Sequence, residues 1–335
     1  MRHYLVIGLT AALSLGAGQA LAQNCPLKQL GSIALERGGP DDGLLIPVYF
    51  NQQPSNMILD TSMGYTTVTP QAVAALKLPA REERDSVQST QNSSGYTSAV
   101  GSKLEAEVDE LIVGLAGKFS KNSFLVENLL SGSVPQPGAG APAGRLGLEI
   151  LTHFDFDFNF ATNTMNMFDT NHCSGGAVVY WKTDAATPIP FEYDGNGRIA
   201  FKVMLDGTRL TGILDTGRAA DKANLDILKR DMNFDETAAD LQKLPSGADG
   251  GKVYSRRFKT LEMGGITIQN PLIIVAEDKS KKRLTADNSA NVGSSIHPTE
   301  LNREPDLRIG LDTLSKMHVY VAVKEKKLYV SPAGQ

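Results

Sequence analysis

Apolar and polar positions in this chain alternate over short stretches more often than they follow a helical period. Phe154-Asp155-Phe156-Asp157-Phe158-Asn159-Phe160 alternates at every residue, the pattern of a half-buried strand. Pro47-Val48-Tyr49-Phe50 and Lys202-Val203-Met204-Leu205 are short strand-like runs. Each meets a polar turn, Asn51-Gln52-Gln53-Pro54 in the first and Asp206-Gly207-Thr208 in the second. A second strand then ends in Ile-Leu-Asp-Thr. This order predicts a β-hairpin that delivers an aspartate at its far end.

The hairpin occurs twice. Residues 46–60 align without a gap to 201–215. The two copies end in Leu59-Asp60-Thr61-Ser62 and Leu214-Asp215-Thr216-Gly217. A second matched segment closes each half: Arg145-Leu146-Gly147-Leu148-Glu149-Ile150-Leu151 and Arg308-Ile309-Gly310-Leu311-Asp312-Thr313-Leu314. Its register runs on to Met167 and Val330. Each copy reads as a strand, a glycine, a short helix and a hairpin. An internal duplication of this kind predicts two similar lobes.

The middles of the halves differ. Residues 86–113 read as a hairpin with a soft tip at Asn92-Ser93-Ser94-Gly95, and 131–144 as a Pro/Gly/Ala loop. In the second half 246–251 is the corresponding tip and 280–306 a long polar loop. The expected organisation is a leader over 1–22, a first lobe over 23–170, a connection over 171–190 and a second lobe over 191–335.

Composition narrows the class. The chain has 335 residues, enough for two domains, with 32 glycines and 16 prolines. The formal net charge of -4 and the absence of a basic stripe argue against nucleic acid as a partner. Residues 4–16 form an apolar run too short to favour a membrane span, and Ala20-Leu21-Ala22 is an A-x-A site. Cleavage before Gln23 is expected, giving a periplasmic or secreted protein with no membrane anchor. No later segment is long enough to cross a bilayer. The two cysteines, Cys25 and Cys173, are expected to form a disulfide in an oxidising compartment. The five histidines are scattered without ligand spacing, so neither a metal nor a cofactor is implied.

A carboxylate after a buried strand is costly unless it is paired or catalytic. Two in matched settings, each followed by an apolar-Gly-Leu-acidic segment, resemble the retropepsin-like aspartic proteases. More narrowly, they resemble bacterial exported members with two lobes in one chain; Cys25 at the mature start, and Cys173 followed by Trp181 at the lobe boundary, add to that likeness. The resemblance implies a mainly β, two-lobed acid-protease fold with a closed barrel in each lobe and a short helix after each Leu/Ile-Gly-Leu. It implies an endopeptidase acting on polypeptide as a monomer, with Asp60 and Asp215 as the catalytic pair. Adjacent carboxylates share one proton, so one can deprotonate water while the other supports the scissile carbonyl.

By position, the resemblance assigns Thr61 and Thr216 to hydrogen bonds between the lobes. Ser62 and Gly217 lie where backbone N–H groups face the carboxylates, and Gly147 and Gly310 are the close-packed glycines behind each loop. Ser94, Gly95 and Tyr96 on one hairpin tip, and Tyr254 after the other, are candidate flap residues over the substrate. Three positions depart from the pattern. Ser62 replaces a glycine, with local strain if a glycine-like φ is required there. Met63 and Arg218 occupy positions usually small or hydroxylated. A guanidinium close to the pair would favour two ionised carboxylates and oppose the shared proton. The alternative function is therefore a catalytically impaired, peptide-binding protein of the same fold.

Overall fold

The computed structural model describes residues 27–333, except 39, 84–102, 115–116, 129–140, 173–174, 176–177, 184–185, 248–249 and 279–304. The expected tip with Ser94, Gly95 and Tyr96, the loop at 280–306 except its last two residues, and both cysteines lie outside those residues. Paired strands flank each of the two tips, the first of them beginning ahead of the expected 86–113. Ala80–Glu83 pairs antiparallel with Lys103–Val113, and Gln242–Leu244 with Val253–Arg257.

The protein is mainly β and two-lobed. In the first lobe, Gly43–Phe50 pairs antiparallel with Gln53–Leu59 through a two-residue turn. Asn51 and Gln52 in that turn both have left-handed φ, 48° and 69°. Such a turn matches the right-handed twist of the strands. Gln53–Leu59 continues in parallel pairing to Gly144–Leu146, which pairs with Thr67–Val68. Gly117–Val126 and Lys103–Val113 follow, and the latter returns to Gly43–Phe50, closing a ring. Closure leaves no open edge in the barrel. Its interior holds Ile46, Val48, Phe50, Met57, Leu59, Val108 and Leu111.

The second lobe repeats the path. Ile199–Leu205 and Thr208–Leu214 form the hairpin, followed by Leu307–Ile309, Asp221–Asn224, Leu272–Ala276 and Val253–Arg257. Where the first lobe has one long hairpin, the second breaks it. Thr260–Met263 and Ile266–Gln269 form its distal part, and Thr260–Met263 pairs with Ile199–Leu205. The break coincides with Asn270-Pro271: Asn270 has φ 52°, and Pro271 has no N–H to donate. Hydrogen bonds from Phe258 N–H to Pro271 O (3.0 Å) and from Asn270 N–H to Lys259 O (2.9 Å) hold the two parts in line.

A six-stranded antiparallel sheet joins the lobes, in the order Gln29–Ala34, Thr164–Phe168, Asp155–Asn159, Met317–Ala322, Lys327–Pro332 and Thr187–Tyr193. Phe156 and Phe158 face the main core, as the alternating pattern implies. The other face is not the solvated one that a half-buried strand implies. Asp155 and Asp157 are both fully buried. Asp157 accepts from His318 Nε2 (2.6 Å), Asn166 Nδ2 (2.8 Å) and the Tyr180 hydroxyl. Asp155 accepts from the Val323 N–H (2.9 Å), the Tyr320 hydroxyl (3.2 Å) and His172. Trp181 stacks on His318 with ring centroids 3.9 Å apart. Residues of the lobe connection thus cover this face, and its carboxylates are tolerated because each has several partners.

Candidate active site

Each aspartate sits where its hairpin strand leaves the barrel. Asp60 N–H donates to Leu146 O (3.0 Å) and Asp215 N–H to Ile309 O (2.9 Å), so the matched later strand fixes each aspartate's backbone. The loops then cross-link. Thr61 N–H donates to Thr216 Oγ1 (3.1 Å), and Thr216 N–H donates to Thr61 Oγ1 (3.2 Å). The Thr216 hydroxyl donates to Leu59 O (2.6 Å). Both threonines are fully buried.

Each lobe also buttresses the other's loop. Leu44 N–H donates to Thr216 O (2.9 Å) and Ala219 N–H to Asp41 O (2.9 Å). The reciprocal contact is Gly64 against Asn196, where an added Cβ would lie 1.9 Å from the Asn196 carbonyl oxygen. The two loops therefore have one mutual position.

Gly217 touches both carboxylates. Its N–H donates to Asp215 Oδ1 (3.2 Å), and a Cβ on it would lie 2.5 Å from Asp60 Cγ. Space, rather than a left-handed φ, demands glycine there. Ser62 needs neither: its φ is not positive, so the anticipated strain is absent. Its N–H (2.9 Å) and hydroxyl (2.7 Å) both donate to Asp60 Oδ1. Gly147 and Gly310 pack on backbone, with hypothetical Cβ atoms 2.4 Å from Tyr65 O and 2.5 Å from Ala219 O. They begin the short helices Leu148–Leu151 and Leu311–Leu314. Met63 and Arg218 carbonyls accept from the first N–H groups of those helices, at 2.9 and 3.1 Å. That shared backbone role leaves the side chain at this position free to differ.

Three arginines surround the pair. Arg145 Nη1 donates to Asp60 Oδ2 at 2.6 Å. Arg308 Nη1 lies 3.7 Å from Asp215 Oδ2, and Arg218 Nε 2.8 Å from the same oxygen, off hydrogen-bond alignment. Arg218 thus turns toward the aspartates. Burial pushes the Asp60 carboxyl up, but Arg145, Ser62 and Arg218 outweigh it and hold the group below its usual range. Burial also pushes Asp215 up; Arg218 and Arg308 pull against it, the Asp60 charge adds to the rise, and the net displacement is upward.

Arg145 and Arg308 are site residues that sequence reasoning left without a role. Their signal was available: a charge at the same repeat position, inside three-residue strands that are otherwise buried. Asp221 is a second omission. It stands six residues after Asp215, as Thr66 stands six after Asp60. Thr66 Oγ1 accepts the Gly147 N–H (3.0 Å); Asp221 Oδ1 accepts the Gly310 N–H (2.7 Å), while Thr313 donates to its Oδ2 (2.6 Å). Burial pushes Asp221 up to about 7.

Tyr254 has its ring in the core cluster, and its hydroxyl donates to Glu236 Oε2 (2.7 Å). Beside the adjoining tip, Gly250 N–H donates to Gly247 O at 2.8 Å. Among the described residues no group of three or more His, Cys, Asp or Glu is placed to hold a metal ion. No helix among them is long and apolar enough to cross a membrane.

Two β lobes, each contributing an Asp-Thr loop to one buried pair, define the two-lobed acid-protease architecture. No protein-family model matches the sequence, and no curated protein matches it. Solved structures similar to the chain include an aspartic proteinase from Irpex lacteus, at 12% identity and TM-score 0.48, covering 91% of this chain and 97% of that one. A structure titled edgp is similar at 10% identity and TM-score 0.46, covering 90% and 94%. At these values the architecture rests on the strand pairing and the crossed threonines.

Proposed function

We propose that this chain is an aspartic endopeptidase in which Asp60 and Asp215 activate one water against a peptide bond. The observation that carries the reading is Gly217 seated against the Asp60 carboxylate while its N–H binds Asp215, inside an interlock of Thr61 and Thr216. The displacement of the two carboxyls in opposite directions supports it, since the chemistry needs one proton held between them. Titration belongs to the pair. In the singly protonated form the Arg145 guanidinium, hydrogen-bonded to Asp60, stabilises the negative charge that the pair carries. The pair takes a proton from water as the oxygen attacks the carbonyl carbon, and passes one to the leaving amine.

A second reading has its own observation. Arg218 within 2.8 Å of Asp215 favours the doubly ionised pair, which suits a peptide-binding protein without turnover. Denatured protein offered from pH 3 to 8, with and without a statin-type inhibitor, separates the two. Inhibitable cleavage supports the peptidase; peptide binding without cleavage at any pH supports the second reading.

We also infer that the chain acts as a monomer outside the cytoplasm after loss of residues 1–22. The apolar run and A-x-A site support export, and the presence of both aspartates in one chain supports the monomer. A disulfide between Cys25 and Cys173 fits the described flanks. Asp169 N–H donates to Lys28 O (2.9 Å) beside the pairing of Gln29–Ala34 with Thr164–Phe168. The chain segments leading to the two cysteines therefore start side by side.

A further inference from the structure

The two aspartate loops are backed by the same backbone scheme and by different chemistry. In each lobe the short helix behind the loop binds it through two N–H groups. Leu148 and Glu149 donate to Met63 O (2.9 Å) and Gly64 O (3.2 Å); Leu311 and Asp312 donate to Arg218 O (3.1 Å) and Ala219 O (2.8 Å). A side chain six residues beyond the aspartate holds the glycine that starts the helix. In the first lobe it is Thr66, whose hydroxyl does not ionise near neutral pH. In the second it is Asp221, a carboxyl 1% exposed whose Oδ1 accepts the Gly310 N–H and whose Oδ2 accepts the Thr313 hydroxyl.

The surroundings of Asp221 favour its neutral form. The neighbouring strand Leu272–Ala276 is apolar, and Arg308 on strand Leu307–Ile309 faces Asp215 instead. Helix Leu225–Met232 turns Leu225, Ile227 and Leu228 inward and leaves its charged residues exposed. Helix Leu311–Leu314 and the turn after it bring Asp312 and Lys316, both exposed and opposite in sign. Burial outweighs the two hydrogen bonds, and the carboxyl rises to about 7. Once ionised here, the group must draw in water or move toward it. Either response disturbs Gly310, which packs directly on the loop: a Cβ on it would lie 2.5 Å from Ala219 O and 2.6 Å from Ala220 O.

We propose that Asp221 is a positioning residue: its protonated form clamps Gly310 behind the Asp215 loop, and its ionisation loosens that clamp in the second lobe alone. The clamp's bearing on hydrolysis rests on the reading of Asp215 as half of the catalytic pair; the clamp itself does not. The Asp60 loop has no such dependence. Its titratable neighbour, Glu149, accepts the Thr66 N–H and leaves the Gly147 bond to the Thr66 hydroxyl.

Amide hydrogen exchange followed by NMR on the full chain reads the clamp without any substrate. Protection factors, corrected for the intrinsic pH dependence of exchange, are compared at pH 5.5 and 8.5 for the two matched pairs of amides. Leu311 and Asp312 should lose at least about tenfold more protection than Leu148 and Glu149 over that range. Asp221→Asn keeps an acceptor for Gly310 and cannot ionise, so the excess loss should shrink to within about twofold. Asp221→Thr copies the first lobe and should do the same; thermal melts show that each variant is folded. Equal losses in the two lobes of the parent overturn the proposal, whatever the variants do. So does an excess that survives in Asp221→Asn. Cleavage is scored separately. The ratio of kcat at pH 8 to kcat at pH 6 should be at least about threefold higher in Asp221→Asn than in the parent, and equal ratios overturn the positioning role. An Asp221-dependent loss confined to the second lobe, with no cleavage by the parent at any pH, supports the clamp and counts against the peptidase reading alone.

Discussion

Asp221 gives the most quantitative handle on the second aspartate loop. Its carboxyl is buried behind Gly310, has one backbone and one hydroxyl donor, and is pushed from 3.8 to about 7. The folded chain therefore holds this proton over a range in which the unfolded chain has released it. The sign follows: the group's contribution to stability is complete below pH 4, falls as pH rises, and is lost above about pH 7. Each pH unit in that interval is worth about 1.4 kcal/mol for one group, so the full span is about 4 kcal/mol, an upper bound because local relaxation offsets part of it. Asp221→Asn keeps the acceptor for the Gly310 N–H and abolishes the ionisation. The Thr313 hydroxyl can rotate to accept from the new amide. Urea unfolding at one-unit intervals from pH 4 to 8, followed by the fluorescence of Trp181, the single tryptophan, measures the difference. Variant and parent should be nearly equal at pH 4, with the variant more stable by about 2–4 kcal/mol at pH 8. Parallel curves, or a variant less stable at pH 8, would refute the placement of a neutral acid at this position.

Other expectations follow from the same geometry. Thr216→Val removes the donor to Leu59 O and the acceptor for Thr61 N–H, leaving buried groups unpaired, and should cost about 2–4 kcal/mol in chemical unfolding. Gly217→Ala places a methyl 2.5 Å from Asp60 Cγ, so the loops must separate; kcat/KM should fall at least about a hundredfold in a chain that still melts cooperatively. His318→Ala takes one partner from the buried Asp157 and the stacked ring from Trp181. A loss of about 3 kcal/mol and a red shift of tryptophan emission should accompany it.

The repeat was the most legible part of the sequence. Alternation and turn residues place the hairpins at 43–59 and 199–214, and the matched Arg-apolar-Gly segments place the short helices, because these depend on local pattern and backbone chemistry. The crossed threonines were accessible only through family resemblance, since no spacing rule links residues 61 and 216. What local pattern cannot carry is how a side chain is partnered across the fold. Asp155 and Asp157 alternate with phenylalanines as solvent-facing residues would, yet His172, Tyr180, Tyr320 and His318 cover them. Tyr254 follows a glycine-rich tip, and nothing local announces its hydrogen bond to Glu236, eighteen residues earlier. Ser62 departs from a glycine pattern whose physical basis differs between the copies: Gly217 needs room against Asp60, whereas position 62 has room for a hydroxyl that binds the same carboxylate. Arg218 was legible as an anomaly, and its direction was set only in three dimensions.

Asp60 and Asp215 are held to act as one proton-sharing unit, and a kinetic double-mutant cycle tests that claim most directly. Cleavage of an unfolded protein substrate is compared for the parent, Asp60→Asn, Asp215→Asn and the double variant at the pH of highest activity. Each single variant should lose about a thousandfold or more in kcat/KM, and the double variant should lose no more than either one, because a unit broken once has nothing further to lose. Measurable cleavage that survives either substitution, or losses that add in the double variant, would contradict the account.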